Sequence, residues 1–469
     1  MFIKQLYTNC LSEAAYYIES NGEAAVIDPL RDIDAYLELA ATRNATIKYI
    51  FETHFHADFV SGHLDLAKAT GAPIVYGPGT LTKFPVHVAR DGETFSIGAL
   101  TIKALHTPGH TLESTCYLLK DEQGKDHCIF TGDTLFVGDV GRPDLAQKGT
   151  EITMTDLAGM MYESLQTKIF PLADEVIVYP AHGPGSSCGK NLGPNTHSTI
   201  GEEKQTNYAL KAASKEEFIK EVTDGIQAPP SYFPINAQIN KEGYDSLDAV
   251  LNEGLTPLSI KAFKQLQEED VIVLDTRPAS LFTQGFVPGS ISIGLEGRFA
   301  EWAGSLLPFT VPIALITEAG KEKETIVRLA RVGFAKIKGY LDGSYEGWKA
   351  AGEPIDMIID VEADELMMDI PHDNNLVVLD VRRETEFAEG HLKDAVNLPL
   401  NDLTDPANMA NIEDTQNLYV HCAGGYRSVI ASSLLKRQGI HNLRNIVGGW
   451  AKIKEQEKAE VVKETSVLN

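Results

Sequence analysis

Cysteine is scarce in this chain, and the five that occur are scattered: Cys10, Cys116, Cys128, Cys188 and Cys422. A small, odd number of unevenly spaced cysteines argues against a disulfide framework, so we expect a reducing, cytoplasmic setting. Long apolar runs are also missing, because no window approaches the roughly 18 apolar residues that a membrane span needs. Residues 1–7 lack a basic segment followed by an apolar one, and they predict a strand rather than a signal peptide.

Basic residues are in deficit, since 41 lysines and arginines stand against 66 acidic residues and leave a formal net charge of −25. This excess disfavours nucleic acid and anionic membranes as partners and is the ordinary charge of a well-solvated surface. A small anionic substrate would therefore need local positive groups. The chain has 469 residues, 43% of them hydrophobic, and at about 100–200 residues per domain it should form several globular domains.

The order of predicted strands and helices divides the chain. Short strands with turns and helices fill the first part, whereas the remainder holds an internal repeat in which 271–277 resembles 376–382. Each copy alternates continuous apolar strands with helices, which is typical of a small parallel α/β sheet. We therefore predict domains at 1–245, 255–352 and 360–456, followed by a charged tail, 457–469, that frays.

Residues that bind metals follow several predicted strands of the first part. His54, His56 and Asp58 share one tight loop directly after the strand at 47–53. A lone His-x-His is more often structural than functional, but further candidates stand after later strands or loops, namely His110, Asp133 and His182. Imidazole and carboxylate groups recurring in such contexts predict a metal site.

This pattern resembles that of the metallo-β-lactamase superfamily over about residues 1–245. The resemblance implies a four-layered αββα sandwich with metal ligands on loops at one edge of the sheets. Zinc hydrolases of this fold carry His-x-His-x-Asp-His, whereas the last position here is Phe59. Phenylalanine has no donor atom, so the second metal position loses a ligand.

Residues 54–63 and 132–144 resemble the persulfide dioxygenase branch in particular. The resemblance implies one Fe(II) per chain, bound by two histidines and one carboxylate that leave positions for water, O₂ and a thiolate-type substrate. It implies that the ligands are His54, His110 and Asp133, and that the groups orienting them are His56, Asp58 and His182. A vestigial ligand is the alternative for His182. The rival function is a zinc thioesterase of the hydroxyacyl-glutathione hydrolase type, against which Phe59 counts.

The same resemblance assigns Arg142 and Tyr179 to binding the polar groups of the thiol that carries the persulfide. Arg142 would offer its guanidinium as a bidentate fork for a carboxylate. The alternative for Arg142 is a structural salt bridge with Asp139 or Asp144.

Cys188 lies in a glycine-rich loop just after His182 and is the second candidate thiol. Lys190 is expected to lower the pKa of Cys188 and make it reactive. The alternative is a small buried side chain without chemistry.

The second repeat contains a cysteine loop between a strand and a helix. Cys422 follows the strand at 418–421, and an amphipathic run, 429–438, begins after Ser428. The small residues between them let the loop curl so that backbone N–H groups point at the sulfur, while the helix N-terminus and Arg427 add positive charge. A phosphate-binding or phosphatase loop is the competing interpretation, although that loop is normally one residue longer.

Residues 360–456 resemble single-domain rhodaneses. The resemblance implies that Cys422 carries sulfane sulfur and that Arg427 is catalytic with it. The substrate-binding residues of the loop are then Gly424, Gly425 and Tyr426. In the first repeat Glu318 falls at the place of the cysteine, which predicts an inactive domain because a carboxylate cannot carry sulfur.

Taken together, these patterns predict a persulfide dioxygenase joined to a sulfurtransferase. The expected small-molecule partners are a thiol persulfide, O₂, and sulfite or thiosulfate. The identity of the carrier thiol, the direction of sulfur flow and the oligomeric state, a homo-oligomer included, stay open. A scaffold that only holds persulfide on Cys422 is the non-enzymatic alternative, and the set His54, His110 and Asp133 counts against it.

Overall fold

The structure is a computed structural model that describes residues 1–145, 151–190, 192–410, 412–413 and 415–464. It has two compact units, of which the first comprises residues 1–249 and 329–335 and the second comprises 250–328 and 336–469. Among the described residues, no helix has both the length and the apolar character needed to cross a bilayer.

Two six-stranded sheets form the centre of the first unit. The first sheet keeps the order of the chain: β1 (Phe2–Thr8), β2 (Glu13–Ser20), β3 (Glu23–Ile27), β4 (Thr46–Phe51), β5 (Ile74–Tyr76) and β6 (His87–Val88). The second sheet runs likewise through β7 (Thr94–Ile97), β8 (Leu100–His106), β9 (Thr115–Lys120), β10 (Asp126–Gly132), β11 (Ile177–Pro180) and β12 (Ser198–Thr199). The helices are α1 (Asp34–Thr42), α2 (His63–Thr70), α3 (Met154–Ser164), α4 (Ile200–Thr206), α5 (Lys215–Thr223), α6 (Phe233–Glu242) and, across the division between the units, α7 (Leu247–Gly254).

Three apolar layers hold these elements together. Between the sheets, Phe51 of β4 packs in one cluster with Tyr117 of β9. On the outer face of the first sheet, Tyr36 of α1 joins a second cluster, and on the outer face of the second sheet Met161 of α3 and Phe218 of α5 join a third. Burial on both faces of each sheet gives the predicted αββα sandwich.

The second unit contains two five-stranded parallel sheets with equivalent strand orders, β13-β17-β16-β14-β15 and β18-β23-β22-β19-β21. Their strands are β13 (Pro257–Leu258), β14 (Ile272–Asp275), β15 (Ile291–Ser292), β16 (Ile313–Ile316), β17 (Ile337–Leu341), β18 (Ile359–Val361), β19 (Leu376–Asp380), β20 (His391–Leu392), β21 (Val396–Asn397), β22 (Asn417–His421), β23 (Leu443–Ile446) and β24 (Val461–Val462), with β20 and β24 forming a separate pair. The helices are α8 (Ile260–Glu268), α9 (Ala279–Gln284), α10 (Phe299–Leu306), α11 (Glu322–Arg331), α12 (Ser344–Ala350), α13 (Ala363–Asp369), α14 (Glu384–Ala388), α15 (Tyr426–Arg437) and α16 (Gly449–Ile453). The fold class predicted from the sequence, a sandwich followed by two small parallel α/β domains, is confirmed.

The strand registers correct the alignment of the two repeats. Asp275 of β14 pairs with Ile316, and its equivalent Asp380 of β19 pairs with His421. The residue that follows each partner is Thr317 in the first repeat and Cys422 in the second. Thr317, and not Glu318, therefore occupies the place of the cysteine, and the helix that follows begins one residue later in the first repeat than in the second.

The tail also differs from the prediction. Val461–Val462 forms β24, which pairs antiparallel with β20. Residues 457–464 therefore include ordered strand rather than only a frayed end, while residues 465–469 lie outside the described part of the chain.

Candidate functional site

Three side chains of the first unit converge at the ends of its strands. The Nε2 atoms of His54 and His110 lie 3.8 and 3.4 Å from Oδ2 of Asp133. All three residues are buried, and one ligand atom from each lies within 4.8 Å of the others. Both carboxylate oxygens of Asp133 lack a hydrogen-bond partner. Buried charged oxygens without partners are costly, so this donor set fits a cation.

The backbone brings the loops that carry these side chains close together. Gly132, at the end of β10, has φ +53°, and a Cβ on it would lie 2.5 Å from the side chain of Thr53. Only glycine permits both the left-handed conformation and this approach. Asp133 can therefore lie beside the loop that follows β4.

Hydrogen bonds fix which nitrogen of each histidine is free. The Thr53 hydroxyl donates to Asp28 at 2.9 Å, so its oxygen accepts from His54 Nδ1 at 3.0 Å. The backbone carbonyl of Arg142 accepts from His110 Nδ1 at 2.9 Å. Each imidazole then carries its proton on Nδ1 and presents the Nε2 lone pair to the site, as a ligand must. Burial also lowers the pKa of His54, which keeps that ring neutral.

A second group of buried side chains adjoins the first. His182 Nε2 lies 3.5 Å from Oδ1 of Asp133 and 3.5 Å from Oδ2 of Asp58. One ligand atom each from His56, Asp58 and His182 lies within 4.8 Å of the others. The three residues predicted to surround the metal ligands are therefore brought together, and Asp133 lies between the two groups.

His56 lies close to two buried carboxylates, which belong to neither group of candidate metal ligands described above. Its Nε2 lies 3.0 Å from Asp28 and 3.6 Å from Glu52. Burial lowers the pKa of His56, but these two carboxylates outweigh it and raise the pKa to about 10. A protonated imidazole donates hydrogen bonds and has no lone pair for a metal. The ring of Phe59, fully buried, lies against His56 at 4.3 Å between centroids and supplies no replacement donor.

The cysteine loop of the second unit lies between β22 and α15. The N–H of Gly425 donates to the Cys422 sulfur at 3.1 Å, and Gly425 itself has φ +103°. The loop packs tightly on α16, since a Cβ on Gly449 would meet the Cys422 carbonyl oxygen at 2.2 Å. Cys422 is 1% exposed, so its sulfur lies at the base of the loop in front of the N-terminus of α15, where the helix dipole favours an anion.

Arg427 and Tyr426 each have a hydrogen-bond partner within the second unit. The guanidinium of Arg427 binds both carboxylate oxygens of Glu386 at 2.7 Å. Burial raises the pKa of Glu386, but Arg427 outweighs burial and lowers it to about 2. Glu386 therefore offsets part of the positive charge near the sulfur. The Tyr426 hydroxyl donates to the Gly294 carbonyl of the first repeat at 2.7 Å, so it anchors the loop.

Comparison with known proteins agrees with this division of the chain. A model of the metallo-beta-lactamase superfamily matches residues 8–182, and a model of the rhodanese-like domain matches 259–351 and 362–456. A crystal structure titled as a metallo-beta-lactamase from Staphylococcus aureus subsp. aureus COL is 32% identical, has a TM-score of 0.64, and its alignment covers 73% of this chain and 98% of that one. This chain belongs to the metallo-beta-lactamase superfamily. Metal binding is a property of that fold.

Two curated relatives are each similar to less than half of the chain. One is the cytoplasmic hydroxyacylglutathione hydrolase of Arabidopsis thaliana, 32% identical over 38% of this chain and 67% of the relative. The other is a probable hydroxyacylglutathione hydrolase of Schizosaccharomyces pombe, 29% identical over 42% of this chain and 81% of the relative.

Arg142, expected at the edge of the metallo-beta-lactamase site, forms the salt bridge that was its alternative. Its Nε and Nη2 atoms donate to the Asp144 carboxylate at 2.7 and 2.8 Å, and other donors bind the Ser187 and Gln227 carbonyls. A substrate carboxylate would have to displace Asp144 from this fork. Tyr179 is half-buried and stacks on Phe130, with ring centroids 5.6 Å apart.

Cys188 lies closer to the metallo-beta-lactamase site than its sequence position suggested. Its sulfur, Asp133 and His182 have ligand atoms within 4.8 Å of one another. Burial, together with Asp58 and Asp133, raises the pKa of Cys188 well above its usual value. The expectation that Lys190 lowers that pKa is wrong, because Lys190 Nζ donates to the Glu221 carbonyl at 3.2 Å.

Proposed function

We propose that the first unit oxidises the outer sulfur of a small thiol persulfide with O₂, and that the second unit transfers sulfane sulfur through Cys422. The observation that carries the first half is the buried set His54, His110 and Asp133. Phe59 adds to it, because it occupies the motif position where dinuclear zinc hydrolases of this fold have a histidine. In the overall reaction one persulfide, one O₂ and one water give one thiol, one sulfite and two protons. The sulfur is oxidised, O₂ is reduced, and the S–S bond is broken.

Fe(II) is the metal that suits two imidazoles and one carboxylate with open positions. When bound, it would supply the redox chemistry between O₂ and the persulfide. The chain itself would keep His54 and His110 in the tautomer that offers Nε2, through the Thr53 hydroxyl and the Arg142 carbonyl. Burial of the three ligands would keep bulk water from the reacting sulfur.

A zinc thioesterase is the second candidate for this unit. The two curated relatives are named hydroxyacylglutathione hydrolases, and His56, Asp58 and His182 lie together as a second donor group. Two features count against a second metal. Phe59 offers no donor, and Asp28 and Glu52 raise the pKa of His56, which favours the protonated ring that has no lone pair for a metal.

The metal content is the first prediction. Protein prepared without oxygen and reconstituted with Fe(II) should hold about one ion per chain, because one facial set of ligands is complete. Elemental analysis after gel filtration measures this ratio, and Asp133→Asn should retain far less iron. Two tightly held zinc ions per chain would contradict the mononuclear site.

Activity assays separate the two candidates directly. Oxygen uptake should follow the addition of a persulfide, measured over a panel of carrier thiols, whereas S-D-lactoylglutathione, a thioester, should not be hydrolysed. Rapid hydrolysis of the thioester without oxygen uptake would favour the thioesterase.

The sulfur transfer rests on the cysteine loop. The Cys422 thiolate would attack the outer sulfur of thiosulfate, a new S–S bond would form, and the bond to the sulfonate group would break with its electron pair leaving on sulfite. The Gly425 N–H and the N-terminus of α15 would stabilise the anionic sulfur before and after the step. In the reverse direction, sulfite would take the same sulfur from loaded Cys422 and leave as thiosulfate.

The first repeat is predicted to take no part in this chemistry. Glu318→Ala and Thr317→Val should each leave sulfur-transfer turnover within about twofold of wild type, because surface or non-participating groups contribute little. Turnover of thiosulfate with an acceptor thiol measures this. A large loss in a folded variant would show that the loop of the first repeat binds substrate.

A further inference from the structure

A hydroxyl group lies beside the sulfur of the cysteine loop. Ser428, on the first turn of α15, has its Oγ 3.7 Å from Cys422 Sγ, and both residues are buried. A hydroxyl at this place either donates to the sulfur, which favours the thiolate, or accepts from it, which favours the thiol. The direction of its single proton therefore decides what Ser428 does.

Asn445 of β23 determines that direction. Its Nδ2 lies 2.7 Å from Oδ1 of Asp360, and its Oδ1 lies 2.7 Å from the Ser428 hydroxyl. An ionised carboxylate only accepts hydrogen bonds, so the amide must turn Nδ2 toward Asp360 and Oδ1 toward Ser428. Oδ1 only accepts, so the proton between the two side chains belongs to Ser428.

Ser428 thus gives its proton to Asn445 and turns lone pairs toward Cys422. The Gly425 carbonyl, 3.1 Å from the hydroxyl, is a longer alternative acceptor on the same loop and would also draw the proton away from the sulfur. The S–H of Cys422 can donate to Ser428, whereas the thiolate receives no hydrogen bond from it. Asp360 in turn is held on its other oxygen by the Thr283 hydroxyl of α9, at 2.7 Å.

We propose that Asn445 and Asp360 are positioning residues that withhold the Ser428 proton from the Cys422 sulfur, so that the thiolate receives no hydrogen bond from this hydroxyl. The inference deepens the proposed sulfur transfer and rests on Cys422 as the sulfur carrier.

Other charged groups around the loop stay unchanged in the test that follows. The α14 side contributes Glu386, paired with Arg427. The β19 side contributes Asp380 and Arg382, hydrogen-bonded to each other. His421 is fully buried, and burial lowers its pKa, so it is neutral.

The test is a pH titration of the Cys422 thiolate in the full-length protein. Thiolate absorbance in the ultraviolet is recorded for each variant and for the same variant carrying Cys422→Ser, and the difference belongs to Cys422. Asn445→Ala removes the nearer acceptor, and the Ser428 hydroxyl should then donate to the thiolate rather than to the Gly425 carbonyl, because a charged acceptor forms the stronger hydrogen bond. Asp360→Asn lets the Asn445 amide reverse with the same result. Each midpoint should fall by about one pH unit, the size of one hydrogen bond to a charged group.

Two further variants make the outcome decisive. Thr283→Val removes a neighbouring hydrogen bond to Asp360 without altering its charge, and its midpoint should stay at the wild-type value. Ser428→Ala should not raise the midpoint, because no bond from Ser428 to the thiolate is lost. Any of three results would overturn the proposal. The midpoint could rise by about one pH unit in Ser428→Ala, or stay unchanged in both Asn445→Ala and Asp360→Asn. The third such result is a midpoint in Thr283→Val that falls as far as in those two variants.

The titration is independent of the proposed function, because it reads the protonation of the sulfur and needs no turnover. Sulfur-transfer assays of wild type and Cys422→Ser decide whether Cys422 carries sulfur. If transfer fails but the midpoints shift as expected, the hydrogen-bond assignment stands and the function does not. If transfer proceeds but the midpoints do not shift, the proposed function stands and only the hydrogen-bond assignment is wrong.

Discussion

His110→Ala is expected to abolish oxygen uptake with persulfide while sulfur transfer from thiosulfate continues. The substitution removes one of three protein ligands, and loss of even a group that only orients a ligand typically costs about 10–100-fold, so we expect a fall of more than about 100-fold. Cys422 and its hydrogen-bond partners lie in the other unit. An oxygen electrode and a thiosulfate assay on the same preparation measure the two activities.

His87→Ala is the matched control for that variant. His87 is exposed on β6 and pairs with Glu93, so both activities should stay at wild-type levels. If His110→Ala lost both activities while its circular dichroism and unfolding transition stayed native, the separation of the two chemistries would be wrong. Full oxygen uptake in the variant would exclude His110 as a ligand.

Cys422→Ser is expected to show the opposite division. A hydroxyl has a far higher pKa than a thiol and cannot form a persulfide, so sulfur transfer should fall below detection. Oxygen uptake with persulfide should persist, and sulfite should accumulate. Cys10→Ser, which changes a half-buried thiol outside both sites, is the control and should behave as wild type.

The products of Cys422→Ser also reveal the direction of sulfur flow. If sulfite takes sulfur from loaded Cys422, wild type fed persulfide and O₂ should yield thiosulfate where the variant yields sulfite. If thiosulfate instead supplies persulfide, wild type given thiosulfate and a thiol should consume oxygen and the variant should not. The same products from both proteins in every condition would exclude Cys422 from the sulfur flow.

The order of strands and the residue types at their ends could be predicted from the sequence, because alternation and turn signals are local. His54, His110 and Asp133 are spread over 80 residues of the chain. Each nevertheless follows a strand, and strand ends meet at one edge of a sheet. Their tautomers could not be foreseen, since the partners of His54 and His110 depend on contacts between distant segments. The family resemblance, rather than spacing alone, suggested which three of the six donors form the metal set.

Side chains with several available partners were the least predictable. The sequence showed Arg142 near Asp144, but only the fold shows that the two form a closed pair. Lys190 is two residues from Cys188, yet its side chain reaches Glu221 instead. No sequence signal linked Ser428 to Asn445, since the residues that fix such a proton lie on different strands and helices.

The first repeat could not be converted into an active sulfurtransferase by restoring its cysteine alone. At the place of Gly449, the first repeat has Ser344, whose hydroxyl donates to the Thr317 carbonyl at 2.6 Å. The N–H of Gly320, which a sulfur would need, already binds the Glu322 carboxylate at 3.1 Å. Thr317→Cys alone would thus place the sulfur in a loop one residue longer than that of Cys422. The Gly320 N–H there is already hydrogen-bonded to Glu322. Conversion of this repeat into an active one would therefore need several changes at once, and no single substitution should produce measurable sulfur transfer.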